Sequence, residues 1–257
     1  MLGGRPLSRV LKEAAAPRNY LALWRMARLA PDFAETAKRY FLGGGEYPWA
    51  CPIRTPRGVV RPTLYSHHDV WTVNEVFFRE DYRVDSNLRL AVDVGSNIGI
   101  SALYFLTRNP AARCYLYEPD PRNAERLRRN LDAFAGRWEL EEAAVARDGG
   151  EVVFARDPTG RYGRIAPADS PDGVDAIRVR CLGINDVLAS VLDREEAIDV
   201  LKLDTEGLER ETVAAIRPGL LERIGVIVFE SESPAPLHGR RFRHSFANET
   251  VRLERMR

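Results

Sequence analysis

From residue 90 onward the chain alternates apolar runs with stretches of helical period, and that alternation constrains the fold more than any other feature. The candidate strands are residues 90–94, 114–117, 140–145, 151–154, 176–181, 198–203 and 224–229. Helices are predicted between several of them, over residues 100–108, 121–135, 184–192 and 207–217. Runs that stay apolar on successive residues suit strands covered on both faces. Strands joined by helices at this spacing suit an α/β fold with a doubly wound, mostly parallel sheet. One helix start is well marked: Asp120 can cap the helix while Pro121 takes its first position.

The first part of the chain reads differently. Residues 6–42 carry helical spacing in three pieces: Leu7, Val10, Leu11 and Ala14, then Tyr20 to Ala27, then Phe33, Ala37, Tyr40 and Phe41. Pro17 and Pro31 break the run, and Gly43-Gly44-Gly45 stops it. The glycines, followed by Pro48 and Pro52, mark the expected boundary. Residues 1–47 form an N-terminal helical extension serving as lid, dimer contact or substrate contact, and residues 48–257 form the main domain. Homo-oligomerisation is expected to run through these helices, and their basic amphipathic character also suits a membrane surface. Val59-Val60 and Thr63-Leu64-Tyr65 predict a short hairpin, and residues 70–78 a helix.

Charge is distributed unevenly around a net value of +1. Residues 1–47 hold eight Lys or Arg against four Asp or Glu, residues 238–257 hold six against two, and the remaining 24 basic and 31 acidic residues lie between. An acidic body therefore sits between basic ends, which counts against a dedicated nucleic-acid binder. Arg outnumbers Lys along the whole chain, so the excess marks no single site. With 45% hydrophobic residues the composition is not that of a disordered chain. Cys51, Cys114 and Cys181 are scattered, with no CxxC and no His at metal-ligand spacing, which points to a reducing compartment. No window approaches ~18 uninterrupted apolar residues and no signal-peptide pattern opens the chain. A cytoplasmic location is the expectation.

The chemistry concentrates in Ala91-Val92-Asp93-Val94-Gly95-Ser96-Asn97-Ile98-Gly99-Ile100-Ser101. A buried strand runs into a glycine-bearing turn that opens a helix, where the backbone can bend sharply and free N–H groups can meet an anionic group. The next strand ends in Glu118, placed to bind both hydroxyls of a ribose. An adenosine-containing cofactor across the ends of these strands is therefore expected. A dinucleotide fold wants G-x-G-x-x-G, whereas here Gly95 and Gly99 are separated by three residues, with Asp93 two positions before the first glycine. Asp93 could bind an ammonium group, which S-adenosylmethionine carries and NAD lacks. No Walker-type lysine is present, so nucleoside triphosphate chemistry has no anchor. The competing structural reading is a strand–turn–helix connection in which glycine serves the turn alone.

Taken together, these segments resemble the FkbM family of class I S-adenosylmethionine-dependent methyltransferases over roughly residues 60–232. The motifs are Val92 to Gly99; Tyr117-Glu118-Pro119-Asp120-Pro121 with Asn123 and Asn130; Glu142-Ala143-Ala144-Val145; Leu182 to Leu188; Asp199 to Glu209; and Phe229-Glu230. Ile184-Asn185-Asp186 stands where the family more often has Leu-Asp-Asp, a departure expected to be structural. The resemblance implies a Rossmann-like, seven-stranded methyltransferase sheet. It also implies a donor site at Asp93, Gly95, Ser96, Asn97, Gly99, Ser101, Glu118 and Ala144, with S-adenosylhomocysteine as product.

An acceptor oxygen must approach in line with the C–S bond of the donor, so positioning carries much of the catalysis. A base helps if the acceptor is a hydroxyl and is unnecessary for a carboxylate. Asp204 at the strand tip, Glu206 beside it and His68 near the pocket mouth are the candidate catalytic residues, with His67, Glu230 and Glu232 behind them. Glu209 is expected to brace Lys202 or Arg210. The carboxylates also permit a divalent metal, although like charges beside a cationic sulfonium are explained without one.

The leading reading is O-methylation of a hydroxyl or carboxyl on a small molecule such as a sugar or secondary metabolite, with arginines of the basic ends holding an anionic acceptor. The alternatives are a nucleic-acid or protein methyltransferase and a non-catalytic, cofactor-binding assembly module. Asp204-Thr205-Glu206-Gly207 lacks the Asn/Asp-Pro-Pro-aromatic turn that usually accompanies methylation of base amino groups.

Overall fold

Five consecutive buried residues, Leu90–Val94, form a central strand of the larger sheet. The computed structural model describes residues 17–157, 163–165, 175–247 and 249–256. Compactness divides the chain into one unit ending at Arg83 and a second beginning at Val84.

In the first unit, helix α1 (Pro17–Leu29) precedes α2 (Phe33–Leu42). Asp32 caps α2 by accepting the Glu35 N–H at 3.3 Å, and Gly43 ends it in the left-handed conformation. The expected helix over residues 7–14 lies outside the described residues. The single hairpin expected near residues 59–65 is instead two pairings. Strands β2 (Ile53–Thr55) and β3 (Gly58–Val60) pair with each other, while β4 (Thr63–Leu64) pairs with β1 (Trp49–Ala50). Pro62 explains the break, since it brings no N–H to a ladder, and its carbonyl accepts the Cys51 N–H. The Thr55 hydroxyl, bonded to the Gly58 carbonyl at 2.8 Å, closes the tighter turn. The predicted helix over 70–78 is α3 (His67–Val73) continued as a π-helical turn, Asn74–Arg79.

In the second unit, β5 (Leu90–Val94), β6 (Arg113–Tyr117), β7 (Trp138–Glu141), β12 (Ile198–Leu203), β13 (Ile224–Glu230), β14 (Phe242–Ala247) and β15 (Thr250–Arg255) form one seven-stranded sheet. Their order is β14-β15-β13-β12-β5-β6-β7. The five strands from β13 to β7 run parallel, and β15 is antiparallel to both of its neighbours. This is the mostly parallel α/β sheet expected from the alternation of runs, with the Rossmann-like, seven-stranded form that the resemblance implies. Central strands β5 and β12 are buried on nearly every residue because both of their faces are covered.

Helices α4 (Ile100–Leu106), α5 (Pro121–Leu131), α6 (Ile184–Leu192), α7 (Glu209–Ala214) and α8 (Pro218–Leu221) fall between these strands. Residues Val92, Val94, Tyr117, Ile184, Leu188, Leu201 and Phe229 belong to one buried apolar cluster. Asn185 donates to the Ala215 carbonyl and accepts the Arg217 N–H, so the position that departs from the family pattern ties α6 to the segment after α7.

A second sheet was not foreseen. Residues 140–145 do not make one strand: β7 ends at Glu141, and β8 (Ala144–Ala146) belongs to a four-stranded sheet ordered β10-β9-β11-β8. The Ala143 N–H donates to the Glu141 carbonyl two residues back, and this tight turn redirects the chain. Strands β9 (Gly150–Ala155), β10 (Arg164–Ile165) and β11 (Ala176–Gly183) complete it.

Candidate functional site

The carboxyl ends of β5, β6 and β12 surround a cavity at the edge of the seven-stranded sheet. It is lined by Gly95, Asn97, Glu118, Ala144, Asp204 and Glu206 among the residues singled out from sequence. Tyr117, Asn123, Ala143, Val145, Phe154, Asp157 and Thr205 also face it.

The turn after β5 is built almost entirely on internal bonds. The N–H groups of Gly95 and Ser96 both donate to the Tyr117 carbonyl at 3.0 Å, and the Ser96 hydroxyl donates to the Asp93 carbonyl at 2.7 Å. Asn97 is left-handed at φ 48, and its N–H donates to Glu118 Oε2 at 2.8 Å. Asn130 reaches back from α5 to the Ile98 carbonyl at 2.9 Å. These donors are used within the protein rather than left open for an anion.

The two glycines have protein-internal reasons as well. Gly95 has φ +75, and a Cβ there would fall 1.8 Å from the Asp204 carbonyl oxygen. At Gly99, φ +88, a Cβ would meet Leu127 and Leu131 of α5 at 3.1 and 3.3 Å. The first glycine lets two loops touch, and the second lets two helices pack.

Asp93 is fully buried and does meet an ammonium group, but it is that of Lys202, with Nζ 3.0 Å from Oδ1. Its other oxygen accepts the Ser101 hydroxyl at 2.5 Å. Asp93, Ser96, Gly99 and Ser101 thus stand behind the cavity wall, and Gly95, Asn97, Glu118 and Ala144 form it. Lys202 was invisible as a site residue because a lysine inside an apolar strand pattern carries no signal of its own partners.

Glu118 is buried at the tip of β6, where its oxygens accept the N–H groups of Asp120 and Asn97 at 2.9 and 2.8 Å. Burial pushes its pKa up to about 7, against the pull of those backbone bonds. A carboxylate with spare lone pairs, aimed into a cavity beside the apolar surfaces of Ala143, Ala144, Val145 and Phe154, suits a ribose carrying a flat base.

Across the cavity, Asp204, Thr205 and Glu206 come from the loop after β12. Glu206 is left-handed at φ 58, an uncommon conformation for a non-glycine residue, and Gly207 follows at φ +111. Glu209 does not brace Lys202 or Arg210. It turns back to accept the N–H of Thr205 at 2.7 Å and of Gly207 at 2.9 Å, so it holds the loop by its backbone. Glu230 and Glu232 do not line the cavity. His68 lies in the first unit on α3, edge-on to Trp71 with ring centroids 4.9 Å apart, and His67 packs against the same indole. Among the described residues no group of three His, Cys, Asp or Glu is arranged to hold a metal, and no helix is long and apolar enough to cross a membrane.

A family model described as the methyltransferase FkbM domain matches residues 93–248. Among curated proteins, the AMB antimetabolite synthetase AmbE of Pseudomonas aeruginosa is 26% identical over 202 residues, 65% of this chain and 9% of that protein. The 2-O-methyltransferase NoeI of Sinorhizobium fredii is 38% identical over 63 residues, 24% of this chain and 26% of that protein. The chain therefore spans only a small part of the curated relatives it matches. A solved rRNA methylase from Streptococcus thermophilus aligns with 69% of this chain and 92% of its own at 13% identity and a TM-score of 0.40. That likeness is too slight to bear on the activity.

Proposed function

The chain belongs to the FkbM methyltransferase family, and from that premise we propose that it moves a methyl group from S-adenosylmethionine to an oxygen of a small molecule. The observation that carries this reading is the single cavity lined by Glu118 on one side and by Asp204 and Glu206 on the other. Glu118 would hold the ribose hydroxyls, the Ala143–Val145 segment and Phe154 would flank the base, and Asp204 would offer negative charge to the cationic part of the donor. When bound, that donor supplies an electrophilic methyl carried on a sulfonium.

The chain's own residues do the rest. Glu206 would accept the hydroxyl proton on its carboxylate as the acceptor oxygen becomes nucleophilic. Its left-handed backbone, fixed by Glu209 beneath the loop, aims it at the cavity. For a carboxylate acceptor no proton moves, and Glu206 serves only to orient. The match to NoeI over 63 residues supports oxygen as the target atom. The cytoplasm is the proposed location, with an anionic acceptor met by arginines at the chain's ends.

Radiolabelled donor incubated with panels of sugars, hydroxylated metabolites and carboxylic acids tests the assignment. Label is expected in an ether or ester. Label found instead on a base of added RNA or DNA, with none on the small molecules, overturns it.

A further inference from the structure

Lys202 sits on β12, a strand otherwise made of apolar residues and Asp199, and only 2% of its side chain is exposed. Its Nζ lies 2.9 Å from the Gly95 carbonyl, 3.0 Å from Asp93 Oδ1 and 3.5 Å from Asp204 Oδ2. An ammonium has three protons, and here one oxygen from β5 and two from the loops that follow β5 and β12 lie around it. Burial alone opposes a charged amine, but the Asp93 and Asp204 carboxylates outweigh it and keep Lys202 protonated.

The three partners differ in kind. Asp93 is fully buried and faces nothing but protein, whereas the Asp204 side chain is 31% exposed and lines the cavity. Asp204 is further tied to the donor turn by its own N–H, which donates to the Val94 carbonyl at 3.0 Å. One cation thus spans from the buried start of the Asp93–Asn97 turn to the exposed carboxylate on the opposite rim.

We infer that Lys202 is a positioning residue of the donor site, holding Asp204 against the Gly95 turn so that the cavity floor is set before any ligand arrives. A simpler role is open to it: neutralising Asp93, whose unpaired charge in the interior would be costly. The two roles separate when Asp93 is neutralised independently. Lys202 acquires the positioning role only if the cavity holds the donor, so the unmodified protein is measured first.

Binding of S-adenosylhomocysteine by calorimetry and thermal unfolding are compared for the full chain, Lys202→Met, Asp93→Asn, the Lys202→Met/Asp93→Asn double variant and Asp204→Asn. Lys202→Met is expected to lose stability and affinity together. In the double variant the unfolding midpoint recovers while affinity stays about tenfold below the unmodified protein. Asp93→Asn alone keeps its affinity, because Lys202 retains Asp204 and Gly95. Adding the double change to Asp204→Asn produces little further loss, since the residue being positioned is already disabled. Wild-type affinity in the Lys202→Met/Asp93→Asn variant overturns the positioning role. Failure of the unmodified protein to bind the product overturns the donor reading itself and is distinguished by that first measurement.

Discussion

The two rims of the cavity are built on opposite plans. On the rim after β5 the turn from Asp93 to Gly99 is tied down by the Tyr117 carbonyl, by its own backbone, by Asn130 and by Glu118, and several of its side chains never reach the cavity. On the facing rim, Asp204 to Gly207 holds two consecutive residues in left-handed conformations and is supported from below by Glu209. One rim is a rigid seat whose polar groups satisfy one another. The other presents the carboxylates of Asp204 and Glu206 to whatever enters, with Glu206 in a left-handed conformation that a glutamate rarely adopts.

That contrast can be broken most severely at the point where the rims touch. Gly95→Ala places a methyl 1.8 Å from the Asp204 carbonyl in a conformation that also disfavours a side chain, and about 4 kcal/mol or more of stability should be lost. Chemical denaturation reads this, and a loss below about 1 kcal/mol would show that the two loops part easily.

Next in size is Glu206→Ala, which should lower turnover about a hundredfold on a hydroxyl acceptor while leaving donor affinity nearly unchanged. Normal turnover removes Glu206 from the chemistry. A smaller effect runs the other way: Glu206→Gly should raise stability by about 1 kcal/mol by relieving the left-handed backbone, even as activity falls. A loss of stability in thermal unfolding would mean that the side chain, not the backbone, supports the loop.

Glu118 sharpens the first rim through pH. Its folded pKa of about 7 lies above the ordinary 4.5, so between those values the native state binds more protons than the unfolded chain. Its contribution to stability is therefore full below pH 4.5 and falls as pH climbs toward 7. The stability difference between the protein and Glu118→Gln should decline across that window by about 1 kcal/mol per pH unit at its steepest. A difference that is flat across the window contradicts a raised pKa.

The same contrast separates what the sequence shows from what it hides. The central strands were legible because runs such as Leu90-Ala91-Val92 and Val226-Ile227-Val228-Phe229 are apolar in succession, and burial on both faces leaves that mark directly. Glu118, Asp204 and Ala144 were legible because they fall at strand ends, where a short motif fixes position. Asp93 was seen, but its partner was not, since the Lys202 contact joins residues far apart in sequence and depends on the register between β5 and β12. The second sheet was hidden for a similar reason. A two-residue turn at Glu142-Ala143 moves the chain from one sheet to the other, and which sheet each side joins depends on pairings with residues distant in sequence. Likewise, the bonds from Glu209 to the loop amides are local, yet a glutamate near a lysine and an arginine looks like an ion pair until the backbone conformation is known.

The central claim is that Glu118 and the wall beside it hold an adenosine-bearing methyl donor. Calorimetric titration of the protein and of Glu118→Ala with S-adenosylhomocysteine, and of the protein with NAD, tests it directly. The product should bind, Glu118→Ala should weaken it about tenfold or more with folding intact, and NAD should bind far more weakly. Preferential binding of NAD, or equal affinity in a folded Glu118→Ala protein, would contradict it.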